Sequence, residues 1–164
     1  MRLLTVVRHA KSSWDYSELS DFERPLNDRG RRDAPAMARR MLKLPPRPDL
    51  LLSSPATRAL TTARMFADEA GIKTQDVAID AKIYDASPDT LLKIVRDLDD
   101  GARHVMMFGH NPGVSELSHL LAACDFDEMP TCAAARFEFA AKSWSEIAPS
   151  DGKLVHFLYP KDGT

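Results

Sequence analysis

Cysteine is scarce in this sequence. The 164 residues contain only Cys124 and Cys132, which do not form a Cys-x-x-Cys pair. That scarcity excludes a disulfide-stapled scaffold and a four-cysteine zinc site, and free thiols in a reducing compartment point to the cytoplasm. Long apolar runs are missing too; none approaches the ~20 residues needed to cross a bilayer. The apolar stretch after Arg2 is broken at Arg8, too short for a signal peptide, and reads as a first strand. Charge of one sign is also lacking: 22 Lys and Arg stand against 24 Asp and Glu, a net charge of −2. Such a chain has no long-range pull on nucleic acid or an anionic membrane. An anionic ligand must therefore be held by a local cluster of positive groups. Repeats, linkers and low-complexity segments are absent, and 44% of the residues are hydrophobic and 28% charged. One folded domain over residues 1–164 is expected.

Strand and helix signals alternate along that domain. Residues 3–7 form a short apolar, β-branched run, and residues 10–27 form a long polar loop. A loop of that length in a compact domain is either functional or a misread element. Asn27 offers a helix N-cap, and Ala34, Met37, Ala38 and Met41 recur at helical spacing until Pro45 and Pro46 stop the pattern. Residues 49–53 read as a second strand. A helix should then start at Pro55, carry Ala59, Ala63, Phe66 and Ala67 on one face, and stop at Gly71. A short strand is expected at residues 77–79, a helix from Ser87-Pro88 to Gly101, and a third strong strand at residues 104–108. A turn at residues 109–113 leads into a helix through Leu121, and residues 133–140 and 154–159 read as two antiparallel strands. Repeated strand-loop-helix units predict an α/β sandwich with a mostly parallel central sheet.

The chemistry stands at the ends of the three best strands. Arg8-His9 comes after the first, Ser53-Ser54-Pro55-Ala56-Thr57-Arg58 after the second, and Gly109-His110 after the third. In open α/β sheets, ligands bind outside the carboxyl ends of parallel strands. If the strands run parallel, two histidines and two arginines converge on one crevice. A single His or Arg at such a position is more often structural, but four together describe an anion site. Arg8 and Arg58 can each present a planar fork of donors to phosphate oxygens. Their charge disfavours protonated imidazole, which leaves His9 neutral and able to attack phosphorus. His110 could donate a hydrogen bond to oxygens that gain charge in the transition state. Such a site supplies its own charge compensation, so neither a metal nor a cofactor is expected.

These residues resemble the histidine phosphatase superfamily, whose fold is phosphoglycerate mutase-like. Arg8-His9-Ala10 is similar to its Arg-His-Gly signature, residues 52–63 to its phosphate-binding arginine motif, and Gly109-His110-Asn111-Pro112-Gly113 to its second-histidine motif. Residues 8–14, with Asp21-Phe22-Glu23-Arg24-Pro25-Leu26 and Gly30, resemble the short SixA-type phosphohistidine phosphatases. The resemblance implies a three-layer α/β/α sandwich and a metal-independent phosphatase. It places a transient phosphohistidine on His9 and puts Arg8, Arg58, His110 and Asn111 around the phosphate.

The sequence departs from the family pattern at two places. Ala10 replaces the usual Gly, and residues 79–85 lack the Glu that protonates the leaving oxygen in many relatives. Asp21, Asp80 and Asp85 are the candidate proton donors; Asp21 could equally order the loop as a partner of Arg24. Imidazole leaves well once protonated, so a missing acid favours a phosphohistidine-bearing protein as substrate. The alternatives are a small phosphate ester, hydrolysed by a metabolite phosphomonoesterase, and a non-catalytic phosphohistidine-binding module.

Overall fold

A computed structural model of the chain describes residues 1–160. Six strands form one sheet: β1 (Arg2–Arg8), β2 (Leu50–Ser53), β3 (Ala78–Ile79), β4 (His104–Gly109), β5 (Ala134–Phe139) and β6 (Lys153–Leu158). Their spatial order is β3-β2-β4-β1-β5-β6, and the β3-β2, β2-β4 and β4-β1 pairings are all parallel. β5 runs antiparallel to both β1 and β6, so it alone opposes the others. The expected mostly parallel sheet and antiparallel final pair are both present.

Four helices cover the sheet: α1 (Asp28–Leu42), α2 (Thr57–Ala70), α3 (Pro88–Arg96) and α4 (Gly113–Leu121). Period-two alternation along buried strands sends neighbouring side chains to opposite faces. Val105 and Met107 of β4 join one core with Leu91 and Val95 of α3 and Leu117 of α4. Met106 and Phe108 join the other, with Met37 and Met41 of α1 and Phe66 of α2. The result is a three-layer α/β/α sandwich with α1 and α2 on one face and α3 and α4 on the other. Among the described residues no helix is long and apolar enough to cross a membrane.

Two helix boundaries differ from the sequence pattern for local reasons. α2 starts at Thr57 rather than Pro55, because Ser54 Oγ accepts the Ala56 N–H at 3.1 Å and turns the chain first. α3 stops at Arg96 rather than Gly101. Aspartates at 97, 99 and 100 oppose the negative end of the helix dipole, and the Asp100 carboxylate instead accepts Trp144 N–H at 2.9 Å.

This topology places a crevice. β1 and β4 are neighbours, yet the chain leaves β1 for α1 on one face and β4 for α4 on the other. The two exits diverge and leave an opening at the carboxyl ends of the strands. The long loop folds back over this end, anchored by the Ser12–Leu26 bridge and by Asn27 N–H donating to Lys11 O at 3.0 Å. Gly30 permits that close approach; a Cβ there would lie 2.2 Å from Lys11 O.

Candidate active site

The sheet register brings the two histidines together. Arg8 pairs with Gly109 across β1 and β4, and His9 N–H donates to Gly109 O at 3.1 Å. His9 and His110, each one residue beyond its strand, then sit with ring centroids 5.3 Å apart. Arg58 arrives from the first turn of α2. Thr62, one turn later, ties that helix to the site by accepting Ala10 N–H at 3.0 Å and donating to Arg58 O at 2.7 Å. Arg8, His9, Asp21, Arg58, His110 and Asn111 all line one open cleft of about 340 Å³.

The geometry sets the protonation of His9. Its Nδ1 lies 2.7 Å from Ala10 O, which can only accept, so Nδ1 carries the proton and the lone pair is on Nε2. Burial, helped by His110 and the two arginines, pushes its pKa down to about 3. His110 is likewise lowered, to about 4, by burial and then by Arg58. Its Nε2 meets Ser54 Oγ at 2.8 Å, while Nδ1 is buried with no partner among the described residues.

The arginines also retain donors. Arg8 Nη1 donates to Met129 O at 2.9 Å, and Arg58 Nη1 and Nη2 donate to Asp21 O and Oδ2 at 2.6 and 3.0 Å. The Nε atoms of Arg8 and Arg58 are buried without a partner among the described residues. Three of the residues lining the cleft, Arg8, Arg58 and His110, thus each carry a buried nitrogen without a partner among the described residues. Buried polar groups normally have partners, so the cleft fits a tetrahedral oxyanion.

Asp21 does not fit the role of proton donor. Hydrogen bonding from Tyr84 Oη at 2.7 Å, with Arg58 and Arg24, pulls its pKa down to about 2. An ionised carboxylate has no proton to give near neutral pH. Its contacts are those of a loop clamp, since Arg24 Nε bonds Asp21 Oδ1 at 3.2 Å and Arg24 Nη1 bonds Ser12 Oγ at 2.6 Å. Asp80 caps a short turn through Lys82 N–H at 2.9 Å and lies outside the cleft lining. Asp85 does line the cleft, with a left-handed φ of 55°. The Asn111 carboxamide is spent locally, donating to Met129 O at 2.9 Å and accepting from Ser115 Oγ at 2.6 Å. Its side chain holds the turn rather than offering a free donor.

Sequence reasoning missed Ser54, Tyr84 and the Ala10 carbonyl. Ser54 was visible as a hydroxyl at a strand end, and Tyr84 lies within residues 79–85, the stretch singled out for lacking a Glu. The carbonyl carries no sequence signal.

Buried neutral histidines make stability depend on pH. His104, held by Thr5 Oγ1 at 2.7 Å and Pro46 O at 2.9 Å, is also lowered to about 4 by burial. The unfolded chain protonates these rings near pH 6.5 and the folded one only near pH 3 to 4. Between those limits the unfolded state binds more protons, so stability is full above about 6.5 and falls as pH drops. Each ring contributes at most about 1.4 kcal/mol per pH unit in that window. Denaturant midpoints between pH 7 and 4.5 should decline steadily, and His104→Gln should flatten the decline.

Comparisons with known proteins identify the family. A sequence profile described as the histidine phosphatase superfamily (branch 1) matches residues 4–85. An uncharacterised chloroplastic protein of Arabidopsis thaliana is 32% identical, over 97% of this chain and 78% of the relative. Among solved structures, SixA from Agrobacterium tumefaciens is 26% identical with a TM-score of 0.81, covering 97% of this chain and 98% of that one. The protein histidine phosphatase SixA complexed with tungstate is 20% identical with a TM-score of 0.81, covering 98% of each chain. This chain belongs to the histidine phosphatase superfamily (branch 1), is SixA-like within it, and is a phosphatase.

Proposed function

We propose that the chain hydrolyses phosphohistidine on proteins, through a transient phosphohistidine on its own His9 and without a metal. One observation carries the reading. His9 has its Nδ1 proton fixed on Ala10 O, which leaves the Nε2 lone pair on a cleft where Arg8, Arg58 and His110 present buried, unpartnered nitrogens. In the first step Nε2 forms a bond to phosphorus as the bond to the substrate imidazole breaks. The departing nitrogen takes up one proton from solvent in the open cleft. Arg8 and Arg58 spread the charge of the transferring group, with His110 Nδ1–H donating when Ser54 Oγ–H donates to Nε2. Water then attacks phosphorus, phosphate leaves, and the electron pair returns to Nε2. Through both steps Ala10 O keeps Nδ1 protonated, which makes His9 a good leaving group in the second.

The substrate class is supported by the state of Asp21, the acid nearest Arg58. Asp21 is held ionised by Tyr84 and two arginines, which suits a leaving nitrogen better than an alkoxide. The SixA structure named as a protein histidine phosphatase has the same fold. The cleft is open, and an open cleft admits a side chain on a protein surface.

The test compares a phosphohistidine protein with alkyl phosphate esters, with and without a chelator. The expected kcat/KM for the phosphohistidine protein exceeds that for the esters by about 10²-fold or more, and the chelator changes neither. Faster hydrolysis of the esters would make the enzyme a metabolite phosphomonoesterase. Binding of phosphohistidine without turnover would make it a recognition module, and loss of activity on chelation would end the metal-free mechanism.

A further inference from the structure

Trp14 is 75% exposed, more than any other large hydrophobic residue among the described residues. Single exposed aromatics are ordinary on protein surfaces, but this one is held in place and borders the cleft. The Arg24 guanidinium carbon lies 3.7 Å from the centroid of the indole. Arg24 is itself buried and fixed by Asp21, by Ser12 Oγ and by Ser13 O at 3.3 Å. The backbone on either side is pinned as well: Ser13 N–H donates to Pro25 O at 2.8 Å and Asp15 N–H to Ser13 Oγ at 3.1 Å. One face of the indole is thus backed by a clamped cation and the other is open. An aromatic plane backed on one face and set on a pinned backbone at the mouth of a site binds another plane at reduced entropic cost.

We propose that the open face of Trp14 is a subsite for the planar ring that carries the phosphoryl group, stacking the substrate imidazole or an aryl equivalent. The inference rests on the phosphohistidine reading and deepens it, because it names the part of the chain that senses the leaving group. Arg24 and Asp21 act through Trp14 as positioning residues. The loop over residues 10–27 then does two jobs: Asp21 meets Arg58 at the phosphate end, and Trp14 faces the leaving group.

The test uses two phosphoramidates that share a P–N bond and differ by a ring, phosphoimidazole and phosphoramidate itself. Trp14→Ala should lower kcat/KM for phosphoimidazole about five- to tenfold, mainly through KM, and leave phosphoramidate within about twofold. Trp14→Phe should recover most of the loss, and Tyr16→Ala, an exposed neighbour outside the cleft lining, should change neither rate. Equal losses on both compounds would reduce Trp14 to a loop-ordering residue, and no loss on phosphoimidazole would remove the subsite. Fluorescence gives a readout independent of turnover. Trp144 is fully buried, with Nε1–H donating to Ala102 O at 2.7 Å, so quenching of the solvent-exposed emission reports Trp14. Titrating His9→Ala with phosphoimidazole should quench it, and phosphoramidate should not. If the wild type hydrolyses neither compound nor a phosphohistidine protein, the phosphohistidine reading fails, while the titration still decides the subsite.

Discussion

Replacing His9 with alanine should lower kcat/KM by about 10⁴-fold or more while leaving the fold and the phosphate pocket in place. Losing a covalent nucleophile removes the whole two-step route, and the remaining groups give only electrostatic stabilisation. A 10⁴-fold loss corresponds to about 5.5 kcal/mol of barrier. Arg8, Arg58 and His110 are positioned by Met129 O, Asp21 and Ser54, none of which depends on the His9 ring. Inorganic phosphate should therefore bind the variant within about threefold of its affinity for the wild type, a shift of under 1 kcal/mol. Quenching a labelled reaction in alkali should trap phosphate on the wild type and none on His9→Ala. Residual activity above about one per cent, or label surviving on the variant, would move the nucleophile elsewhere.

Arg58→Lys has the second largest expected effect, a fall of about 10²- to 10³-fold in kcat/KM with the charge retained. A lysine keeps one positive point but loses the planar fork. That fork now binds the Asp21 backbone and carboxylate, and its buried Nε has no partner among the described residues. Both jobs need the guanidinium, because an ammonium group cannot present donors along two fixed directions at once. The variant should also bind inorganic phosphate more weakly, which separates loss of the pocket from a global loss of stability. A fall of less than tenfold would mean that Arg58 serves mainly to anchor the loop.

Most of the framework was legible because its signals are local. The strands at the centre of the sheet, β1, β2 and β4, are built on short apolar runs, and the faces of α1 and α2 repeat at helical spacing. Gly71 marks the end of α2 with a left-handed φ of 73°, a stop that one residue encodes. The end of α3 was less legible. The apolar pattern continued through Leu98, but a hydrogen bond between Asp100 and the distant Trp144 helps set the boundary. Such a competitor lies 44 positions away and leaves no trace in a local window.

The sequence by itself determined which groups stand at the strand ends: Arg8, His9, Arg58 and His110, in an order and setting that already described an anion site. It determined an α/β framework as well, since alternation and helical spacing are properties of neighbouring residues. Only the tertiary structure decided what those groups do to one another. It set the His9 tautomer through a backbone carbonyl and paired Asp21 with Arg58 across 37 residues, turning a candidate acid into a clamp. It also left one face of Trp14 open. Protonation, pairing and exposure depend on distances between residues remote in the chain, and no local pattern carries those distances.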